Sequence, residues 1–149
     1  MHAKAGSAVL SGIAKLRDLQ CDLAAAAVAK AALVVRDKRA ILDAGLSERA
    51  EAADGWQALM SARSFSVEML RYWSAETMRR DRAVGRAQEE LGLAERDVKR
   101  CGEDWYAALQ RRDLVKRLAQ DVRAARSRKR EEAGLQENLD RLAYQRSEI

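Results

Sequence analysis

Residues Val84 to Val122, VGRAQEELGLAERDVKRCGEDWYAALQRRDLVKRLAQDV, place an apolar residue at alternating steps of three and four positions. Arg112 is the one member of this repeat that is not apolar. The members are Val84, Ala87, Leu91, Ala94, Val98, Cys101, Trp105, Ala108, Arg112, Val115, Ala119 and Val122. A repeat of 3.5 residues sustained over several heptads is typical of a left-handed coiled-coil seam. The segment is therefore predicted to be a long helix that packs along another helix.

The first part of the chain supplies the expected partner helix. Residues 7–60 are mostly strong helix formers, and Ala24 to Ala32 (AAAAVAKAA) lies close to the maximum of helix propensity. Lys30 and Asp37 interrupt its apolar stripe, so we expect a narrow, Ala-rich seam. The predicted seam residues are Ile13, Leu16, Gln20, Leu23, Ala27, Val34, Ile41 and Ala44.

The chain reversal between the two helices is predicted at residues 61–66 (SARSFS). Ser64 or Ser66 can cap the second helix by accepting a backbone N–H bond. An alternative is a turn at Asp54-Gly55, where Asp54 and Gln57 have the spacing of a capping box. We place the first helix at about 7–60 and the second at about 67–146.

The composition supports an all-α fold. The 149 residues include no Pro and eight Gly, and 34% are charged, as expected of long helices and coiled coils. All-β and α/β folds are excluded because Val and Ile never cluster with the period of two that a strand needs. We predict two long helices that form an antiparallel coiled-coil hairpin over residues 1–149. Trp105 and Tyr106 should then fill the seam opposite the small residues Cys21 to Ala27.

Residues for catalysis or metal binding are not apparent. His2 is the only histidine, Cys21 and Cys101 are far apart, and no phosphate-binding or nucleophile motif occurs. We expect a non-enzymatic protein without cofactor, metal or small-molecule ligand, and read both cysteines as small buried residues. No stretch approaches the roughly 20 apolar residues that span a bilayer, so we expect a cytosolic protein without membrane insertion.

A basic stretch, RAARSRKR from Arg123 to Arg130, is the first candidate binding site. It is either a solvated helical face or a site for an acidic protein partner, which complementary charge would steer onto it. Nucleic acid is not expected, because Glu131-Glu132 follows and no aromatic residues are interleaved. The candidate residues are Arg123, Arg126, Arg128, Lys129 and Arg130.

Two apolar groups are further candidates. Phe65, Tyr72 and Trp73 lie near the predicted turn together with several Met and Leu residues, and either cap the hairpin or form a partner surface. Beyond the basic stretch the leucine repeat resumes out of phase, with Leu139 and Leu142 among its members. This part of the helix either closes the seam with the start of the first helix or docks on another protein.

The organisation resembles the flagellar FliJ and type III secretion YscO family of small export proteins. The resemblance covers nearly the whole chain. It rests on the length, the two long helices, the aromatic-bearing turn, Trp105 within EDWYAALQRR, the basic stretch after it, and the ending LDRLAYQR. In that family an Asp-x-hydrophobic-Ala run precedes basic residues near the C-terminus, which Asp140, Leu142, Ala143 and Arg146 match here.

The resemblance implies a stalk similar to the γ subunit of rotary ATPases. Residues 7–23 and 123–146 would enter the pore of the hexameric export ATPase, and residues 65–78 would mark the other end. That end would reach the export gate protein and, in some members, unloaded secretion chaperones. The gate-contacting positions of the family have no clear match here. A coiled-coil scaffold protein and, less favoured, a basic nucleic-acid-binding coiled coil are the alternatives.

Overall fold

The computed structural model describes the backbone of residues 2–147 and the side chains of residue 6 and residues 8–146. Helix α1 spans His2–Ser61 and helix α2 spans Val67–Ser147. The two helices pack against each other, and the described chain contains no strand, which confirms the predicted all-α hairpin. Helix α1 begins before the predicted position near residue 7. The side chain of His2 lies outside the described residues.

The break between the helices covers residues 62–66, inside the predicted segment 61–66. The Ser66 hydroxyl accepts a hydrogen bond of 3.2 Å from the Met69 backbone N–H, which caps the start of α2. At the end of α1, the Ser61 hydroxyl donates to the Gln57 carbonyl at 2.9 Å. The alternative turn at Asp54-Gly55 is wrong, because both residues lie within α1.

Each of two compact units contains part of both helices. We call Met1–Asp22 with Tyr106–Ile149 the terminal unit, and Leu23–Trp105 the turn unit. Within the turn unit, ion pairs join the helices at Lys38–Glu90 (2.6 Å), Arg39–Glu95 (3.1 Å), Arg49–Asp81 (3.9 Å) and Glu48–Arg80. Residues 38 and 39 of α1 pair with residues 90 and 95 of α2, whereas residues 48 and 49 pair with 80 and 81, so the helices run antiparallel.

Helix α2 presents the predicted stripe to α1. Every member from Val84 to Val122 is buried or half-buried except Trp105, and Val84, at 2% exposure, is the most buried of them. Tyr106, which was predicted to fill the seam with Trp105, is 62% exposed. That prediction is wrong. In the terminal unit the residue of α2 that reaches the buried Cys21 is Arg112, with 3.9 Å between Nη1 and Sγ. Cys101 is half-buried, and both thiols are free.

The predicted stripe of α1 is wrong by one residue. Its eight predicted members are all exposed, with Leu23 at 71% and Ile41 at 55%. The residues that face α2 come one position later: Ala14, Arg17, Cys21, Ala24, Val28, Val35, Leu42 and Gly45. A closely packed seam takes small residues and the apolar stems of long cationic side chains. The larger aliphatic residues of α1 are therefore left outside it.

Gly55 on α1 lies directly against the Trp73 indole of α2. A Cβ on Gly55 would stand only 2.3 Å from Cη2 of the Trp73 indole. The ring occupies the space that any larger residue would need. Gly45 faces Val84 across the same seam, but a Cβ there would stand 3.5 Å from the nearest methyl group, an ordinary contact distance.

Candidate partner-binding site

The structure divides the predicted basic cluster in two. Arg123 and Arg126 line a groove of about 270 Å³ between the helices of the terminal unit. Helix α1 contributes the opposite wall, and the complete lining is Leu10, Ser11, Ala14, Lys15, Asp18, Ala119, Val122, Arg123 and Arg126. Arg128, Lys129 and Arg130 lie beyond the groove and are exposed.

The groove carries net positive charge. Three of its lining side chains are cationic, namely Lys15, Arg123 and Arg126. Asp18 is the one acidic lining residue, and its carboxylate is paired with the Lys116 ammonium at 3.3 Å. Such a groove suits a carboxylate-bearing partner. Sequence reasoning missed Lys15. Its position in the groove can be predicted only when it is known which residues of α1 face α2.

Further cationic side chains lie in the seam of the terminal unit. Arg17 donates from Nη1 to the Gln20 side chain at 2.8 Å, while its buried Nε has no hydrogen-bond partner among the described residues. The hydrogen bond from Arg112 to Asp113 raises the pKa of the Arg112 guanidinium above its ordinary value. The Arg112 side chain therefore remains charged where the helices meet.

The last part of α2 has no covering segment within the described chain. Every residue from 127 to 146 is exposed, including Leu135, Leu139 and Leu142 at 64%, 60% and 59%. The alternative in which these leucines close the seam with the start of α1 is therefore wrong. Within this segment Ser127 donates to Glu131 at 3.0 Å and Gln136 donates to Asp140 at 3.2 Å, each four positions along the helix. This segment is available to another molecule.

The aromatic residues near the turn have different environments. Trp73 is half-buried against Gly55 and meets Tyr72 edge to face, with ring centroids 5.3 Å apart and planes at 79°. Tyr72 and Phe65 are 60% and 49% exposed. Trp73 thus caps the seam, while the other two present surface. Sequence reasoning missed Trp56, which lines a shallow groove with Ser74, Thr77 and Met78.

A network of charges joins the two helices next to this aromatic group. The Glu76 carboxylate accepts hydrogen bonds from Arg79 at 2.8 Å and from Arg80 at 2.7 Å. Arg80 also pairs with Glu48 on α1. The hydrogen bond to Glu76 raises the pKa of the Arg79 guanidinium. The network holds the first turns of α2 against α1 rather than presenting a free charge to a ligand.

Comparison of the chain with models of protein families, with curated proteins and with solved structures gives no match. Among the described residues, no group of three or more His, Cys, Asp or Glu side chains is arranged to hold a metal ion. Neither described helix contains a segment with the length and apolar character required to cross a bilayer. The candidate site is thus defined by its charged and apolar surfaces.

Proposed function

We propose that the chain is a non-enzymatic central-stalk component of a type III protein export apparatus, flagellar or injectisome. It would insert into the hexameric export ATPase and link that ring to the export gate protein or to secretion chaperones. The observation that carries the proposal is the exposed end of α2, residues 127–146, which combines basic side chains with a leucine stripe in an antiparallel hairpin.

The charge of the terminal unit supports contact with an acidic ring surface. Arg123 and Lys15 approach the same groove from different helices, and Arg128, Lys129 and Arg130 extend the basic surface along α2. Complementary charge increases the rate and specificity of association more than it increases affinity. The exposed Leu139 and Leu142 would supply the apolar contacts.

The mechanism proposed is physical. Two different helices inside a sixfold ring cannot contact all six subunits alike. A stalk that binds one subunit conformation better than another shifts the ring toward that conformation by the difference in affinity. In the turn unit, the exposed Phe65 and Tyr72 would contact the export gate protein or a chaperone. Aromatic side chains are enriched at such interfaces.

The test is the hydrolysis rate and oligomeric state of the export ATPase from the same cell, titrated with this protein. We expect stimulation and ring formation at one chain per hexamer. Reversing Arg123, Arg128, Lys129 and Arg130 to Glu should weaken binding without unfolding the hairpin. The matched control reverses four exposed cations of the turn unit: Lys30, Arg71, Arg82 and Lys99. Equal binding by the two variants would refute the assigned surface.

Absence of both binding and stimulation by the folded protein would refute the stalk function itself. A coiled-coil scaffold or adaptor would then be the better description. A salt titration against random-sequence DNA separates the remaining alternative, because binding through phosphates falls steeply with salt concentration.

A further inference from the structure

Three leucines of the terminal unit lie on one side of the hairpin, outside the seam. Leu16, Leu114 and Leu118 each come directly before a half-buried seam residue, and they are 53%, 60% and 48% exposed. One residue turns a helix by about 100°. Because the helices are antiparallel, one step back from the seam leads to the same side of the hairpin on both. We call this side the leucine face.

The ion pair of the terminal unit supports this geometry. Asp18 and Lys116 each come directly after a half-buried seam residue, and their side chains meet at 3.3 Å. One step forward from the seam thus leads both helices to a common side, opposite the leucine face. One step back from the seam likewise leads both helices to a common side, so Leu16 lies on the same side as Leu114 and Leu118.

The stripe that α2 places on the leucine face is complementary to itself when its direction is reversed. Its members are Ala107, Arg111, Leu114, Leu118, Asp121 and Ala125. Leu114 and Leu118 are equally far from Lys116 along the helix, and so are Arg111 and Asp121. Two copies paired antiparallel about Lys116 would place leucine on leucine, alanine on alanine and Arg111 on Asp121. In antiparallel coiled coils, alternate core positions pair in this way.

The two charges of this stripe have no partner within the described chain. Arg111 and Asp121 are exposed, and among the described residues neither forms an ion pair or a hydrogen bond. Their neighbours differ, since Arg112 is bound to Asp113 and Lys116 to Asp18. A second copy would supply each unpaired charge with its opposite, twice in a symmetric dimer.

An axis at the level of Lys116 also determines which residues of α1 would meet. Asp18 is ion-paired with Lys116 and therefore lies at the same level of the hairpin. An antiparallel α1 pair centred on Asp18 would place Leu16 against Gln20.

We propose that the leucine face binds a second copy of this chain, giving an antiparallel dimer with two-fold symmetry in which α1 packs on α1 and α2 on α2. The chain exposes 12,096 Å² in total. A compact monomer of its mass exposes about 7,600 Å². A stable interface needs roughly 800 Å² per partner. The inference goes beyond the stalk function and requires no ATPase.

The test is sedimentation equilibrium of the full-length chain over a hundredfold range of concentration. We expect the mass to rise from 16.6 kDa toward twice that value. Arg111→Glu, and separately Asp121→Arg, should raise the dissociation constant tenfold or more, because each makes both interchain pairs repulsive. Arg117→Glu is the matched control: it reverses an exposed arginine of the same helix that lies outside the stripe. Circular dichroism should show unchanged helix content.

Mixing the two single variants separates this dimer from other modes of association. In a mixed dimer each reversed charge faces an opposite charge, so we expect Arg111→Glu and Asp121→Arg to associate with each other at concentrations where each alone is monomeric. The double variant in one chain should also dimerise. A wild-type monomer at every concentration would overturn the proposal. So would a dimer that is insensitive to both reversals, or a mixture that remains monomeric.

Discussion

Replacing Gly55 by Ala should destabilise the hairpin, although the same change at Gly45 should stabilise it. Both glycines lie within α1 and face α2, so each substitution gains the same helix propensity, about 0.8–1.0 kcal/mol. The two sites differ in the space available. The new Cβ would stand 2.3, 2.5 and 2.7 Å from three carbons of the Trp73 indole at Gly55, but 3.5 Å from Val84 at Gly45.

The size of the effect follows from this contact. Carbon atoms pack best at about 3.5–4.0 Å, so the Trp73 ring must move by roughly 1 Å. The indole is rigid, and Tyr72 packs against it edge to face. Overpacking of this kind costs about 1–3 kcal/mol. Gly55→Ala should therefore lose about 1 kcal/mol net, whereas Gly45→Ala should gain up to about 1 kcal/mol.

The assay is urea unfolding followed by circular dichroism, with Trp fluorescence as a second probe. The difference between the two variants isolates the steric effect, because their gain in helix propensity cancels. Combining Gly55→Ala with Trp73→Leu should cost less than the sum of the single changes, since the ring that opposes the new methyl group is absent. Equal stability of Gly55→Ala and Gly45→Ala would refute the assigned contact.

Two further changes test the charged contacts of the turn unit. Glu76→Gln should lower the free energy of unfolding by about 1 kcal/mol, measured by urea titration, because the carboxylate accepts hydrogen bonds from Arg79 and Arg80. The Lys38 ammonium, 2.6 Å away, holds the pKa of Glu90 below its ordinary value. The Lys38–Glu90 pair should therefore stabilise the fold at neutral pH and cease to do so as the pH falls through the lowered pKa. Glu90→Gln should be less stable than the wild type at pH 7, and the two should converge in acid; a gap of constant size would contradict this.

The sequence predicts the α2 stripe and the turn correctly because both are local signals. A 3.5-residue repeat repeated many times outweighs single exceptions such as Arg112, and Ser66 caps α2 by a bond to a residue three positions away. The phase of α1 is not local. Its larger residues form one stripe and its small residues another, one position apart. Only the packing against α2 decides which stripe is buried.

The same limit applies to the candidate site. The basic residues of α2 are visible in the sequence, but Lys15 joins Arg123 only once the register between the helices is known. From the sequence around it, Gly55 is expected only to weaken the helix. Its role depends on Trp73, which lies on the other helix. The apolar stripe that was wrongly assigned to the α1 seam is exposed instead. In the terminal unit its leucine, Leu16, lies on the proposed dimer face.

The stalk function and the dimer make a joint prediction, because both use the terminal unit. A chain held in a dimer must dissociate before its two helices alone can enter a ring. The apparent dissociation constant for the ATPase is then the intrinsic constant divided by the fraction of chains that are monomeric. Arg111→Glu should then reduce the protein concentration needed for half-maximal stimulation of hydrolysis. The size of the reduction should match the monomer fraction measured by sedimentation. If Arg111 instead contacts the ring, the same variant would raise that concentration, so the direction of the change decides between the two roles of this face.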